Sequence, residues 1–180
     1  MKYIVAGFSL MMAATVAADN VRPQVYLNQN LGFNIEGFNY KQSEFPCDID
    51  KHLMLGLLQR SKDRGLVMEP VSTADKIFNG EIPVLAIDVE ELVLNKEYRF
   101  GSKSSSNLPK VKVTAALIRG KDDKDVVMAK HSCTIASLKE FTPSSEILDM
   151  GTQTTVCSAT RKCLNELTKD VVQWVEPQIK

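Results

Sequence analysis

Three segments in the second half of the chain alternate between apolar and polar side chains, which is the pattern of half-buried β-strands. The first covers residues 84–94, and its alternation slips after Glu90, as a β-bulge or a strand end would produce. The others cover residues 110–119 and 126–135, and the polar turn at residues 120–125 joins them. We therefore expect a three-stranded antiparallel meander.

Two other segments carry apolar residues at the spacing of amphipathic helices. The first covers residues 47–65, and Asp48 or Asp50 can accept hydrogen bonds from the free N–H groups of its first turn. The second is predicted over residues 158–176, with Pro177 as its end because proline interrupts the helical ladder. Each helix has one apolar face that must be buried against another element.

The order of these elements favours an α+β fold. A weak alternation around residues 33–38 predicts one more strand before the first helix. An antiparallel sheet of three to five strands, with the two main helices packed on one face, is the simplest way to bury both helical stripes. We therefore expect residues 47–180 to form a single domain, and residues 19–46 to form an extended N-terminal segment before it.

The N-terminus has the pattern of a signal peptide. Lys2 precedes an uncharged apolar run at residues 4–14, and small residues follow at 16–18. The run is shorter than the roughly 20 residues that a membrane-spanning helix needs. A buried first strand or helix is the alternative. We predict that residues 1–18 are a cleavable signal peptide and that the mature chain is periplasmic or secreted.

The four cysteines predict two disulfides, because an even count is typical of exported domains in oxidising compartments. A metal site is the alternative, but zinc ligands usually include a C-x-x-C pair. The closest cysteines here, Cys157 and Cys163, are separated by five residues. The first cysteine is Cys47, far from the predicted cleavage site. We therefore expect neither a lipid anchor nor, since no later apolar run is long enough, a membrane span.

The order of elements also bears on how the cysteines pair. If the weak first strand and the last strand run the same way, both helices begin at the same end of the sheet. Cys47 and Cys157 then lie at the two helix starts, while Cys133 lies near a strand end and Cys163 faces the sheet. This arrangement favours Cys47–Cys157 and Cys133–Cys163, but one reversed strand would change the pairing.

The charge balance excludes some classes of partner. The chain has 22 basic and 22 acidic residues, and removal of Lys2 with the signal peptide leaves 21 against 22. A nearly neutral chain has no electrostatic basis for binding nucleic acid, which depends on neutralising phosphates. It also has no basic cluster that would attract an anionic membrane surface.

No residue pattern predicts catalysis, a cofactor or a metal site. His52 and His131 are isolated histidines without ligand spacing, and the serines at 104–106 lie in a polar loop without a G-x-S-x-G motif. Asp88 and Glu90 share a strand face about 7 Å apart, which is within the range of glycosidase pairs. A solvated sheet face explains them better, because no cleft is indicated. We expect the protein not to be an enzyme.

Five stretches of the chain resemble those of small bacterial envelope domains. They are "RSKDRG" at 60–65, "LAIDVEELVL" at 85–94, "LPKVKVTAALIRG" at 108–120, "VVMAKHSCTI" at 126–135 and "CLNELTKDVVQWV" at 163–175. The pattern of elements resembles the auxiliary proteins of ABC-type lipid transport systems and the N-terminal domain of the Tol-system translocation protein. The resemblance implies the fold and an envelope location. The absence of an anchoring cysteine and the presence of four cysteines depart from it.

The first functional hypothesis is a non-enzymatic accessory domain that binds a protein partner in the cell envelope. The expected contact surfaces are an exposed sheet edge, by strand addition, or the loops at 101–109 and 138–156. The second is a binding protein for a small apolar or lipid-like ligand held between sheet and helices. Its expected lining is Leu57, Leu117, Leu167 and Val171. A small hydrolase or redox protein is the third, and the sequence leaves the oligomeric state open.

Overall fold

The computed structural model describes residues 23–33, 45–94, 99–101, 108–120, 125–138 and 153–179. The predicted signal peptide at 1–18 therefore lies outside the described residues. Within the described ranges, no helix is both long and apolar enough to cross a membrane.

The described residues form seven strands, three α-helices and one short 3-10 turn at Pro46–Asp48. In chain order the elements are β1 (Val25–Asn28), β2 (Gly32–Phe33), α1 (Ile49–Asp63), β3 (Met68–Val71), α2 (Ala74–Ile77), β4 (Val84–Val93), β5 (Arg99–Phe100), β6 (Lys110–Ile118), β7 (Val126–Thr134) and α3 (Gln153–Ile179).

All seven strands belong to one mixed sheet, whose main path runs β3-β1-β4-β6-β7. The antiparallel meander of β4, β6 and β7 is confirmed, with β6 pairing along the whole length of both neighbours. The α+β class is also confirmed, but an antiparallel sheet of three to five strands is wrong. β1 runs parallel to β3 and β4, because the chain crosses over through α1 between β1 and β3.

The first described strands explain why the sheet is larger than expected. β1, β2 and β5 pair with successive parts of β4, on the edge that does not face β6. The segment at 19–46, which was expected to lie outside the domain, thus contributes two strands to it. Of the two explanations for the slip after Glu90, the structure shows the bulge: the register between β4 and β6 shifts between Val89 and Glu91, and the strand continues to Val93.

The two main helices pack against each other and against the sheet, and their apolar faces form the core with one face of the strands. Gly65 follows α1 with a φ of 70°, a left-handed conformation that glycine adopts without steric cost.

The predicted cap of α1 is wrong: Asp48 occupies the N-cap position, but its side chain makes no cap hydrogen bond. The prediction for Pro177 is also wrong, because α3 continues through it to Ile179. Pro177 lies in the last turn, where the missing N–H removes only one ladder bond.

Candidate functional site

An open groove of about 360 Å³ lies between the outer surface of α1 and strand β3. Its apolar part is formed by Met54, Leu55 and Leu58 from α1 and by Pro70 from β3, and Leu55 is 63% exposed. Leu55 thus adds an exposed apolar side chain to a concave surface that already has an apolar centre. The groove is therefore the first candidate for a binding surface.

The helical period explains why these side chains line the groove. Ile49, Leu53 and Leu57 form the buried face of α1. Residues one position further along the chain are rotated by about 100° around the helix axis, which carries Met54 and Leu58 to the border of the buried face. The next step carries Leu55 out to solvent, on the same stripe as Lys51.

Polar groups surround the apolar centre of the groove. Gln29, Asp50 and Lys51 complete its lining. The Nζ of Lys51 donates a hydrogen bond to Oδ1 of Asp48 at 2.7 Å. This hydrogen bond lowers the pKa of the Asp48 carboxyl and raises the pKa of Lys51. An apolar centre inside a polar rim is the usual anatomy of a protein-binding surface.

The outer edge of β7 is a second candidate surface. Arg119 N–H donates to the Asp125 carbonyl at 3.0 Å, and Ile135 N–H donates to the Pro109 carbonyl at 2.9 Å. Given the antiparallel register between these points, the odd-numbered residues of β7 bond to β6. The N–H and C=O groups of the even-numbered residues therefore point away from β6, and in the described part of the chain no strand lies beyond β7.

His131 lies on β7 beside α3. Its ring makes a T-shaped contact with Trp174, with the ring centroids 5.7 Å apart. Nε2 of His131 is buried and has no hydrogen-bond partner among the described residues. Burial lowers the pKa of His131, and the charge of Asp170 opposes that shift. The environment favours a neutral imidazole at pH 7.

The acidic pair that the sequence singled out lies on the sheet face opposite the helices. Glu90 accepts a hydrogen bond from Thr114, and its carboxylate contacts Lys130 Nζ at 2.9 Å and Lys112 Nζ at 3.1 Å. These groups lower the pKa of Glu90 to about 2. Burial, and then the charge of Glu90, raise the pKa of Asp88. Glu90 is thus held in an ion-pair cluster across three strands, which is a structural role.

A close backbone approach fixes the position of Asp88. A Cβ atom at Gly32 would lie 1.6 Å from Oδ1 of Asp88, so the carboxyl group fits only over a glycine. This contact links β2 to β4, where Gly32 and Asp88 are register partners. The side chain is positioned by strand packing.

The cysteines are joined as Cys47–Cys157 and Cys133–Cys163, which is the pairing that the element order favours. The first disulfide connects the 3-10 turn before α1 to the N-terminal part of α3. The second connects the edge strand β7 to α3. No described cysteine is free, and the described residues contain no group of three or more histidine, cysteine or acidic side chains that could hold a metal ion.

The other predicted site residues lie apart from the groove. The four residues proposed to line an internal ligand site are fully buried members of the core. They are Leu57, Leu117, Leu167 and Val171. His52 is half-buried on α1. Of the two loops proposed as contact surfaces, residues 102–107 and 139–152 lie outside the described residues.

Sequence analysis missed the groove because its walls come from distant segments. One signal was available: Leu55 lies between Lys51 and Gln59 at helical spacing, an apolar residue on a stripe that is otherwise polar. The role of Pro70 could not be inferred in this way, because it depends on the parallel crossover that places β3 beside α1.

The chain is similar to several solved structures at low sequence identity. No protein-family model and no curated protein matches it. It is similar to a Xanthomonas campestris protein of the DUF330 family, with 18% identity, coverage of 86% of this chain and 84% of that chain, and a TM-score of 0.48. It is also similar to the PelC dodecamer of Paraburkholderia phytofirmans, with 14% identity, coverage of 83% and 89%, and a TM-score of 0.42.

A minor lipoprotein of Acinetobacter baumannii is similar at 9% identity, with coverage of 86% of this chain and 94% of that chain and a TM-score of 0.40. All three TM-scores are below 0.5. The resemblance to ABC-type auxiliary proteins and to the Tol-system domain stays a prediction.

Proposed function

We propose that this protein is a non-enzymatic accessory domain of the cell envelope, which binds a protein partner through the groove between α1 and β3. The observation that carries the proposal is the exposed Leu55 beside a groove with an apolar centre and a polar rim. Binding energy at protein interfaces concentrates in a few apolar anchors that fill such pockets, while the rim excludes water. An aliphatic or aromatic side chain of the partner fits this groove.

The disulfides support the envelope location. Two bridges in a chain with no described free cysteine are typical of proteins that fold in an oxidising compartment. The predicted signal peptide and the resemblance to envelope domains agree with this location. The structural engagement of Glu90 supports a non-enzymatic role, because a carboxylate held by three partners is not available as a base.

Crosslinking in the native envelope tests the proposal. The tagged mature protein is compared with Leu55→Asp, which puts a charge at the groove mouth, and with Phe78→Asp, a matched change at an apolar residue that is 73% exposed outside the groove lining. We expect one stoichiometric envelope partner, reduced at least tenfold by Leu55→Asp and unchanged by Phe78→Asp. Equal recovery with both variants would contradict a groove-mediated contact.

A small apolar ligand is the second candidate for the same groove, because about 360 Å³ lies within the range of ligand-binding pockets. Native mass spectrometry of the purified protein separates the two candidates. A bound small molecule that disappears with Leu55→Asp, together with no captured protein, would favour the ligand over the partner.

A further inference from the structure

We propose that His131 is a pH-sensitive latch between the edge strand β7 and helix α3. Protonation of its imidazole opens this contact, and the Cys133–Cys163 bridge keeps the strand attached to the helix while the contact is open. The proposal goes beyond partner binding and does not involve the groove. It rests on the incomplete burial of β7, on the surroundings of the His131 ring and on the position of the bridge.

The helix side of β7 is covered less completely than that of its neighbour. In β6, the four side chains on this side are fully buried, namely Val111, Val113, Ala115 and Leu117. Their register partners on β7 are all half-buried, namely Cys133, His131, Ala129 and Val127. In the described part of the chain, no strand lies beyond β7 to cover it further. A small separation of β7 from α3 therefore admits water to this side without unpacking the main core.

The His131 ring lies at this half-covered boundary. Its register partner on β6 is Val113. Its neighbours on the same face of β7 are Ala129 and Cys133, and the sulfur of Cys133 is held in the bridge. Among the described residues, neither β6 nor β7 thus presents a titratable group to the ring. On α3 the ring contacts Trp174, and the ring centroids are 5.7 Å apart.

A second ring proton has no acceptor in the closed contact. Nε2 of His131 is buried and has no hydrogen-bond partner among the described residues. The neutral ring can carry its proton on Nδ1, but the imidazolium must also carry one on Nε2, which would then be a buried, charged donor without an acceptor. Asp170, one turn before Trp174 on α3, favours the cation by its charge. Asp170 is exposed, however, and burial has the larger effect on the ring.

The direction of the pH dependence follows from this difference between the closed and open contact. In the open contact water solvates the ring, so its pKa lies near the ordinary value of 6.5, whereas burial lowers the pKa of His131 in the closed contact. The open form therefore takes up the proton first. The contact is stable above about pH 6.5 and weakens below it, and one titrating group raises the open population by at most about tenfold per pH unit.

The bridge limits how far the contact opens. Cys133 lies two residues after His131, on the same face of β7, and its partner Cys163 is buried on α3. The C-terminal end of β7 thus stays attached to the helix, and β7 stays paired with β6 along its whole length. Opening exposes Trp174 and the helix side of β7 without detaching the strand.

Fluorescence of Trp174 tests the latch, because Trp174 is the single tryptophan of the chain and contacts His131. The mature, disulfide-bonded protein is titrated from about pH 8 to about pH 5 with acrylamide as a collisional quencher. We expect the quenching constant to about double, with a midpoint below pH 6.5, while far-UV circular dichroism stays unchanged. His131→Gln should abolish this transition, and His52→Gln, at the only other histidine, should leave it intact.

Asp170→Asn is the second variant, and it decides the test if His131→Gln does not fold. It changes an exposed side chain and removes the charge that favours the imidazolium, so the midpoint should move to lower pH. Quenching that still changes with pH in folded His131→Gln would overturn the proposal. So would a quenching constant that stays the same across the titration, a midpoint above pH 6.5, or a midpoint that Asp170→Asn leaves in place. Leu55→Asp changes α1 alone, so failure of the groove proposal is recognised separately.

Discussion

Removal of the Cys47–Cys157 bridge should destabilise the protein more than most single changes. The bridge joins residues 110 positions apart. Closing a loop of that length lowers the conformational entropy of the unfolded chain, which stabilises the folded protein by about 4.8 kcal/mol at 25 °C. The bridge also fixes the turn before α1, where both Cys47 and Asp48 have positive φ angles. We therefore expect Cys47→Ala/Cys157→Ala to lose about 5 kcal/mol of unfolding free energy, or roughly 10–20 °C in Tm.

Urea denaturation followed by far-UV circular dichroism measures this loss, and the m-value should rise because the unfolded chain becomes less compact. Cys133→Ala/Cys163→Ala is the matched comparison. Its bridge joins residues 30 positions apart, and closing this shorter loop stabilises the folded protein by about 3.6 kcal/mol. Removing the smaller loop should also change the m-value less. A loss below about 2 kcal/mol for the first variant, or a larger m-value change for the second, would refute the argument from loop closure.

Two pH-dependent changes follow from the titratable groups of the sheet. The pKa of Glu90 is lowered to about 2, so its ion pairs stabilise the fold above pH 4.5, and that stability is lost as the pH falls towards 2. In Glu90→Gln, the melting temperature should therefore depend less on pH over this range. The pKa of His131 is lowered by burial, so the unfolded chain takes up a proton first, and stability falls as the pH drops below about 6.5. His131→Leu should remove this second loss, and an unchanged pH profile in that variant would show that another group is responsible.

The meander was predictable because its signal is local. Alternation of apolar and polar residues places β6 and β7 within a residue of their observed ends, and the phase slip after Glu90 marks the bulge. The helix α1 was predictable for the same reason, with its apolar period and the left-handed Gly65 at its end. In these segments one face is buried and the other is not, which is the condition under which a pattern appears.

The parallel part of the sheet could not be predicted, because no local pattern specifies it. β1 has only four residues, Val25–Asn28, and its partners β3 and β4 lie some 40 to 60 positions away in the chain. The direction of this strand depends on the crossover through α1, which is a property of the whole topology. The groove depends on the same crossover. The sequence shows Leu55 as an apolar residue on an otherwise polar stripe of α1, but it does not show that Pro70 lines the same groove.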